Sequence, residues 1–250
     1  MPLSNDKRKS EIAIVQLLPN MLTIVAICAG LSAIRFGVQG NYVLAVQLIL
    51  AACVLDGLDG RLARYLGSDS KMGAELDSLA DFLNFGVAPP LVLYFWALED
   101  NASAAWIAVL FFAVCCVVRL ARFNVSSKLD SDPDSSAYFV GVPSPAGALL
   151  VLLPMFVSFA FANAPLLPDY LICLHMILIG LLLISPIRIS SFKSARIPRE
   201  KVKYLLVGLA FVGAAVMTYA WITLLVLCLA YIIAVSWAWL ARKPDPQEKG

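Results

Sequence analysis

Charge is what this chain has least of. Only 14% of its 250 residues are Asp, Glu, Lys or Arg, against about 25% in an ordinary soluble domain. That shortage excludes a water-soluble globule, because 61% of the residues are hydrophobic and a core of this length cannot bury so much apolar surface. The chain must use lipid as its solvent. The six cysteines, Cys28, Cys53, Cys115, Cys116, Cys173 and Cys228, sit inside apolar runs and never at CxxC spacing. They read as small hydrophobes, neither disulfides nor metal ligands. The lone histidine, His175, also lies in an apolar stretch and reads as a buried or interfacial ring. No internal repeat and no separate soluble domain interrupts the pattern.

What is present is a series of long apolar runs. A spanning helix needs roughly 20 mostly apolar residues, and about eight stretches qualify: 17–36, 42–65, 76–98, 102–123, 144–162, 170–189, 202–219 and 221–240. The expected fold is an all-α polytopic membrane bundle. Residues 1–16 and 241–250 read as polar tails around one catalytic membrane domain over 17–240, with its core over 17–190. The first run is too long for a signal-peptide core and reads as a retained span. Lys and Arg gather on alternate connections, at 7–9, 61–71, 119–128, 188–203 and 242–249, while only Arg35 falls on the other side. The positive-inside rule then puts both termini in the cytosol. The 188–203 cluster reads as a topology determinant that also meets anionic lipid.

Against that apolar background, four aspartates stand out. Asp56 and Asp59 are three apart, and Asp77 and Asp81 four apart, so each pair shares one helix face. The first pair closes the second span and the second pair opens the third. A short connection makes the two helices antiparallel neighbours, and the four carboxylates converge. Such a cluster is untenable without a counter-charge, and ionisable groups at membrane depth mark functional sites. Hard oxygen ligands suit magnesium, manganese or calcium rather than zinc. Two such ions about 4 Å apart are the usual apparatus for displacement at phosphorus.

Three glycines, Gly57, Gly60 and Gly73, lie among these acids. Glycine costs a helix about 1 kcal/mol relative to alanine, so close approach of a ligand or of another helix is expected there. Arg64, five residues past Asp59, has a fork suited to phosphate oxygens.

The pattern D-x2-D-G-x2-A-R-x8-G-x3-D-x3-D runs without a gap through Asp56, Asp59, Gly60, Ala63, Arg64, Gly73, Asp77 and Asp81. It resembles the signature of the CDP-alcohol phosphotransferases. The LPNxLT opening at residues 18–23, the DFLNFGVAPP run at 81–90, RLARFN at 119–124 and FVGVPSPA at 139–146 are similar to segments of the phosphatidylserine-forming members. The resemblance covers residues 17–150. It implies that Asp56 and Asp77 bridge two divalent cations, that Asp59 binds one and Asp81 the other, and that Asp81 is the general base. It further implies that Asn20, Thr23, Gly60, Arg64 and Ser70 contact CDP-diacylglycerol. A homodimer in the inner or plasma membrane follows from the resemblance alone, with the site facing the cytosol and no nucleic-acid partner.

The implied reaction is transfer of a phosphatidyl group to L-serine with release of CMP. Arg119 and Arg122, three apart, with Asn124 beside them, are the candidates for the acceptor's carboxylate. Glycerol 3-phosphate, inositol phosphate or choline as acceptor is the first alternative, and the 188–203 cluster would serve a phosphorylated one. A cation transporter is the distant alternative. It would place its acids near the bilayer midplane, whereas these sit at a helix end beside arginine.

Overall fold

The computed structural model describes residues 14–67, 70–99, 102–129, 138–161, 167–185, 188–190 and 199–240. The tails expected at 1–16 and 241–250 therefore lie almost wholly outside the described residues, as do residues 191–198 of the basic cluster.

The described chain is helical throughout, apart from one small strand pair. The helices are α1 (Ile14–Val38), α2 (Tyr42–Leu66), α3 (Lys71–Asp81), α4 (Ala88–Ala97), α5 (Ala102–Leu129), α6 (Ser144–Val151), α7 (Leu153–Ala160), α8 (Asp169–Ile184), α9 (Arg199–Thr218) and α10 (Ala220–Leu240). Five helical stretches among the described residues have the length and apolarity to cross a membrane: Leu17–Val38, Tyr42–Leu66, Lys71–Ala97, Ala105–Ser126 and Ala220–Trp237. Asp169–Ile184 is a shorter apolar helix.

Of the eight expected spans, 170–189 appears as the shorter helix α8 and 202–219 as α9, which is not among those five. Two others are interrupted, and proline explains both interruptions. The run at 144–162 is broken into α6 and α7 at Leu152. Pro154 has no N–H to return to the Leu150 carbonyl, and His175 Nε2 sits 2.9 Å from that oxygen instead. His175 is thus held by a backbone group that the helix break leaves short of a donor. The third span is continuous, but Phe82–Val87 between α3 and α4 is π-helical. Pro89 and Pro90 cannot donate to the carbonyls four residues behind them. Ahead of them the ladder widens, with Ala88 N–H bonded to the Leu83 carbonyl. The wider turn re-aims the residues after Asp81 relative to those before it.

Small side chains set the packing. Ala26 and Ala33 of α1 and Ala45 and Ala52 of α2 are buried, so these two helices pack along their length, as small residues permit inside a membrane. The α3–π–α4 rod lies against α1, and α5 packs on α8 and on the π segment. The core between them holds Ile49, Val92, Leu93, Phe112, Phe156 and Met176. α10 packs on α7 and α9.

Gly67 and Gly141 stand at turns that need glycine. Gly67 ends α2 in the left-handed region (φ 57°) and donates to the Ala63 carbonyl. Gly141 (φ 85°) is pressed against α8, where a Cβ would meet the Leu183 carbonyl oxygen at 2.6 Å. Just before it, Tyr138–Val140 pairs antiparallel with Arg188–Ser190. This strand pair, unexpected from the sequence, joins the entry to α6 to the exit from α8.

Candidate active site

The site forms where three helix ends meet. α2 ends, α3 begins, and the start of α1 closes over them. Ser70 caps α3, its Oγ accepting from Gly73 N–H at 2.9 Å. Gly73 lets α1 come close: a Cβ there would sit 2.9 Å from Asn20 Oδ1. On the other side, Thr23 Oγ1 donates to Asp59 Oδ2 at 2.6 Å. The LPNxLT opening thus meets both halves of the acidic hairpin, Asn20 packing on Gly73 of α3 and Thr23 bonding to Asp59 of α2.

Asp56, Asp59 and Asp77 each offer a carboxylate oxygen, and these oxygens lie within 4.8 Å of one another. Asp81 stands apart from this trio. Its carboxyl is within hydrogen-bonding reach of Asp56, one turn further along α3 than Asp77. The expected convergence of four carboxylates is therefore a trio with Asp81 attached through Asp56. Two oxygens in the cluster, Asp59 Oδ1 and Asp81 Oδ1, are buried without a hydrogen-bond partner. Asp59 as a whole is only 3% exposed. Buried carboxylates with orphaned oxygens, crowded together, are what a hard divalent cation satisfies, so the donor set fits the expected metal.

The glycines separate into two kinds. A Cβ at Gly57 or Gly60 would meet nothing within 4 Å, so helix packing does not explain them. They leave open space beside Asp56 and Asp59. Gly73 is explained by the approach of α1 given above. Arg64 is exposed beside this space and donates through Nε to the Gly60 carbonyl at 3.0 Å.

The three acceptor candidates on α5 have different partners. Arg119 lies within electrostatic range of Asp81 and donates through Nη1 to the Oγ of Ser144, the first residue of α6, at 2.7 Å. Its guanidinium also lies over the Phe123 ring, 5.6 Å from the centroid. Arg122 donates to the Ile184 carbonyl at 2.9 Å and so caps the last turn of α8. Asn124 Nδ2 donates to Ser78 Oγ at 3.0 Å, which ties α5 to the helix that carries Asp77 and Asp81.

Three residues that the sequence did not single out belong to this region. Ser144 lay hidden in a motif run, and Ser78 sits between the two aspartates of α3. Asn84, in the π turn after Asp81, is 1% exposed with neither amide atom partnered, and it packs on Gly30 of α1. A polar residue five places before a proline pair was the available signal for it.

A family model described as CDP-alcohol phosphatidyltransferase matches residues 16–185. The chain belongs to this family. A CDP-diacylglycerol–serine O-phosphatidyltransferase of Mycobacterium leprae is 38% identical over 237 residues, covering 92% of this chain and 79% of its relative. One from Helicobacter pylori is 37% identical, covering 72% and 74%. A solved structure of Mycobacterium tuberculosis phosphatidylinositol phosphate synthase with CDP-DAG bound aligns at a TM-score of 0.48 and 21% identity, covering 68% of this chain and 88% of that one. The protein is a multi-pass membrane transferase of phospholipid biosynthesis, and the acidic cluster is its metal-binding feature.

Proposed function

We propose that this transferase moves the phosphatidyl group of CDP-diacylglycerol onto L-serine, giving phosphatidylserine and CMP. The relatives that match most of the chain carry that activity in their names. The observation that carries the reading is the position of Asp81, which adjoins the carboxylate trio through Asp56 and lies within electrostatic range of Arg119. A base next to a cation suits an acceptor with a hydroxyl to deprotonate and an anion to hold.

Asp56, Asp59 and Asp77, with Asp81 through Asp56, would hold two divalent cations, magnesium or manganese. When bound, these offset charge on the diphosphate and on departing CMP. The protein's own groups do the rest. Gly57 and Gly60 keep room for the nucleotide, and Gly60, Asn20, Thr23 and Ser70 border it. Arg64 lies where a diphosphate oxygen would come. Asp81 takes the proton of the acceptor hydroxyl. The freed oxygen attacks the β-phosphorus, and the bond from that phosphorus to the oxygen of CMP breaks. Direct attack is the simpler course, since the carboxylates are committed to metal.

The charge pattern supports a cytosolic site with both termini inside, in the inner or plasma membrane. One membrane domain over 17–240 between two polar tails and assembly as a homodimer complete the reading. CMP release with L-serine, glycerol 3-phosphate, inositol phosphate and choline supplied in turn tests it. Release with L-serine is expected. Release with another acceptor but none with L-serine overturns it.

A further inference from the structure

The last helix brings a polar group into the acceptor region that the family core does not contain. Tyr231 lies on α10, well past residue 185 where the family match ends. Its ring packs on the common core, yet its hydroxyl oxygen is buried without a hydrogen-bond partner. Buried tyrosine hydroxyls normally find one, so an orphaned one marks a place where a partner arrives.

Two ties locate that hydroxyl. One turn before it on α10, Cys228 Sγ approaches the Leu149 carbonyl of α6 at 3.8 Å. The α10 helix, packed on α7 and α9, thus also touches α6, the helix whose first residue, Ser144, accepts from Arg119 at 2.7 Å. The Arg119 guanidinium lies within electrostatic range of both the Tyr231 hydroxyl and the Asp81 carboxyl. Arg119 thus shares its surroundings with the base and with a buried, unused phenol.

The chemistry of those surroundings is one-sided. Arg119 has five N–H donors and no acceptor, and one of them is bound to Ser144. A phenol beside a guanidinium offers its proton outward. Two donors that reach one small anion in a low-dielectric setting form a receptor for it. An amino-acid acceptor brings a carboxylate close to its hydroxyl.

We propose that Tyr231 is a specificity-determining residue of the acceptor site: its hydroxyl and the Arg119 guanidinium together hold the acceptor's anionic group, a carboxylate, while the acceptor hydroxyl meets Asp81. The identity of that anion rests on the serine reading, whereas the existence of the anion site does not. Placing the residue on α10 lets the acceptor be chosen by an element outside the shared catalytic core.

The test uses the full chain in mixed micelles and the variant Tyr231→Phe, which loses one oxygen and keeps the ring. CMP release is followed against L-serine, against CDP-diacylglycerol, and against serinol, which lacks the carboxylate. The KM for L-serine is expected to rise about tenfold, the loss of one hydrogen bond to a charged group. The KM for CDP-diacylglycerol and the thermal midpoint should hold, and the preference for L-serine over serinol should shrink by the same factor. An unchanged KM for L-serine overturns the proposal. So does a parallel rise in both KM values, which is what general loosening of α10 would give. Should the wild type use glycerol 3-phosphate and not L-serine, the serine reading fails on its own. The same comparison with glycerol 3-phosphate then decides Tyr231: a selective rise in its KM supports the anion site, and no rise overturns it.

Discussion

Thr23 Oγ1 lies 2.6 Å from Asp59 Oδ2 across 36 residues of sequence, and this bond fixes α1 to the metal-binding carboxylates. One oxygen of Asp59 is held by protein, and the other is buried without a partner. The bond fixes the orientation of the carboxyl and leaves one oxygen for a ligand. Supporting groups of this kind typically change metal affinity by about 10- to 100-fold. Thr23→Val should therefore raise the manganese concentration needed for half-maximal CMP release by about tenfold. Thr23→Ser should stay near wild type, because it keeps the hydroxyl. A manganese titration of the three proteins checks this.

The glycines give a prediction with two signs. Gly57 and Gly60 have open space where a Cβ would stand. Alanine there should stabilise α2 by about 1 kcal/mol, while the KM for CDP-diacylglycerol rises as the nucleotide loses room. At Gly73 a Cβ would meet Asn20 Oδ1 and Ser70 Oγ at 2.9 and 3.0 Å, so Gly73→Ala should lower the thermal midpoint. Melting curves and KM values for the three variants separate space kept for a ligand from space filled by a helix.

Arg119 and Arg122 look alike in sequence and differ in their surroundings. Arg119 is bonded to Ser144 within electrostatic range of Asp81, whereas Arg122 caps the Ile184 carbonyl. Arg119→Lys should raise the KM for L-serine at least about tenfold, since lysine lacks the fork. Arg122→Ala should mainly cost stability, about 1–2 kcal/mol for an uncapped helix end, with the acceptor KM little changed. Paired acceptor kinetics and thermal unfolding distinguish the two.

How much of this was legible in the sequence depended on whether the signal was periodic or tertiary. The aspartates, the Arg64 position and the membrane helices announce themselves through spacing and hydropathy. The break at Leu152 and the π turn before Pro89 trace to prolines that were visible, but a 20-residue hydropathy reading passes over them. The partner of a side chain is a tertiary fact. Nothing in the RLARFN run says that Arg119 turns to Ser144 and Arg122 to Ile184. Asn20 and Thr23 read alike as nucleotide contacts, yet each also meets one half of the acidic hairpin. Tyr231 carried no signal at all, because its role depends on where α10 packs.

Metal removal tests the central claim most directly. The purified chain is stripped with a chelator, supplied with CDP-diacylglycerol and L-serine, and assayed for CMP as manganese is added back. Asp77→Asn is assayed alongside. The account predicts no CMP release in chelator, full recovery with manganese or magnesium, and a loss of about a thousandfold in Asp77→Asn at any metal concentration. Undiminished release in the chelator, or wild-type activity in Asp77→Asn, would contradict it.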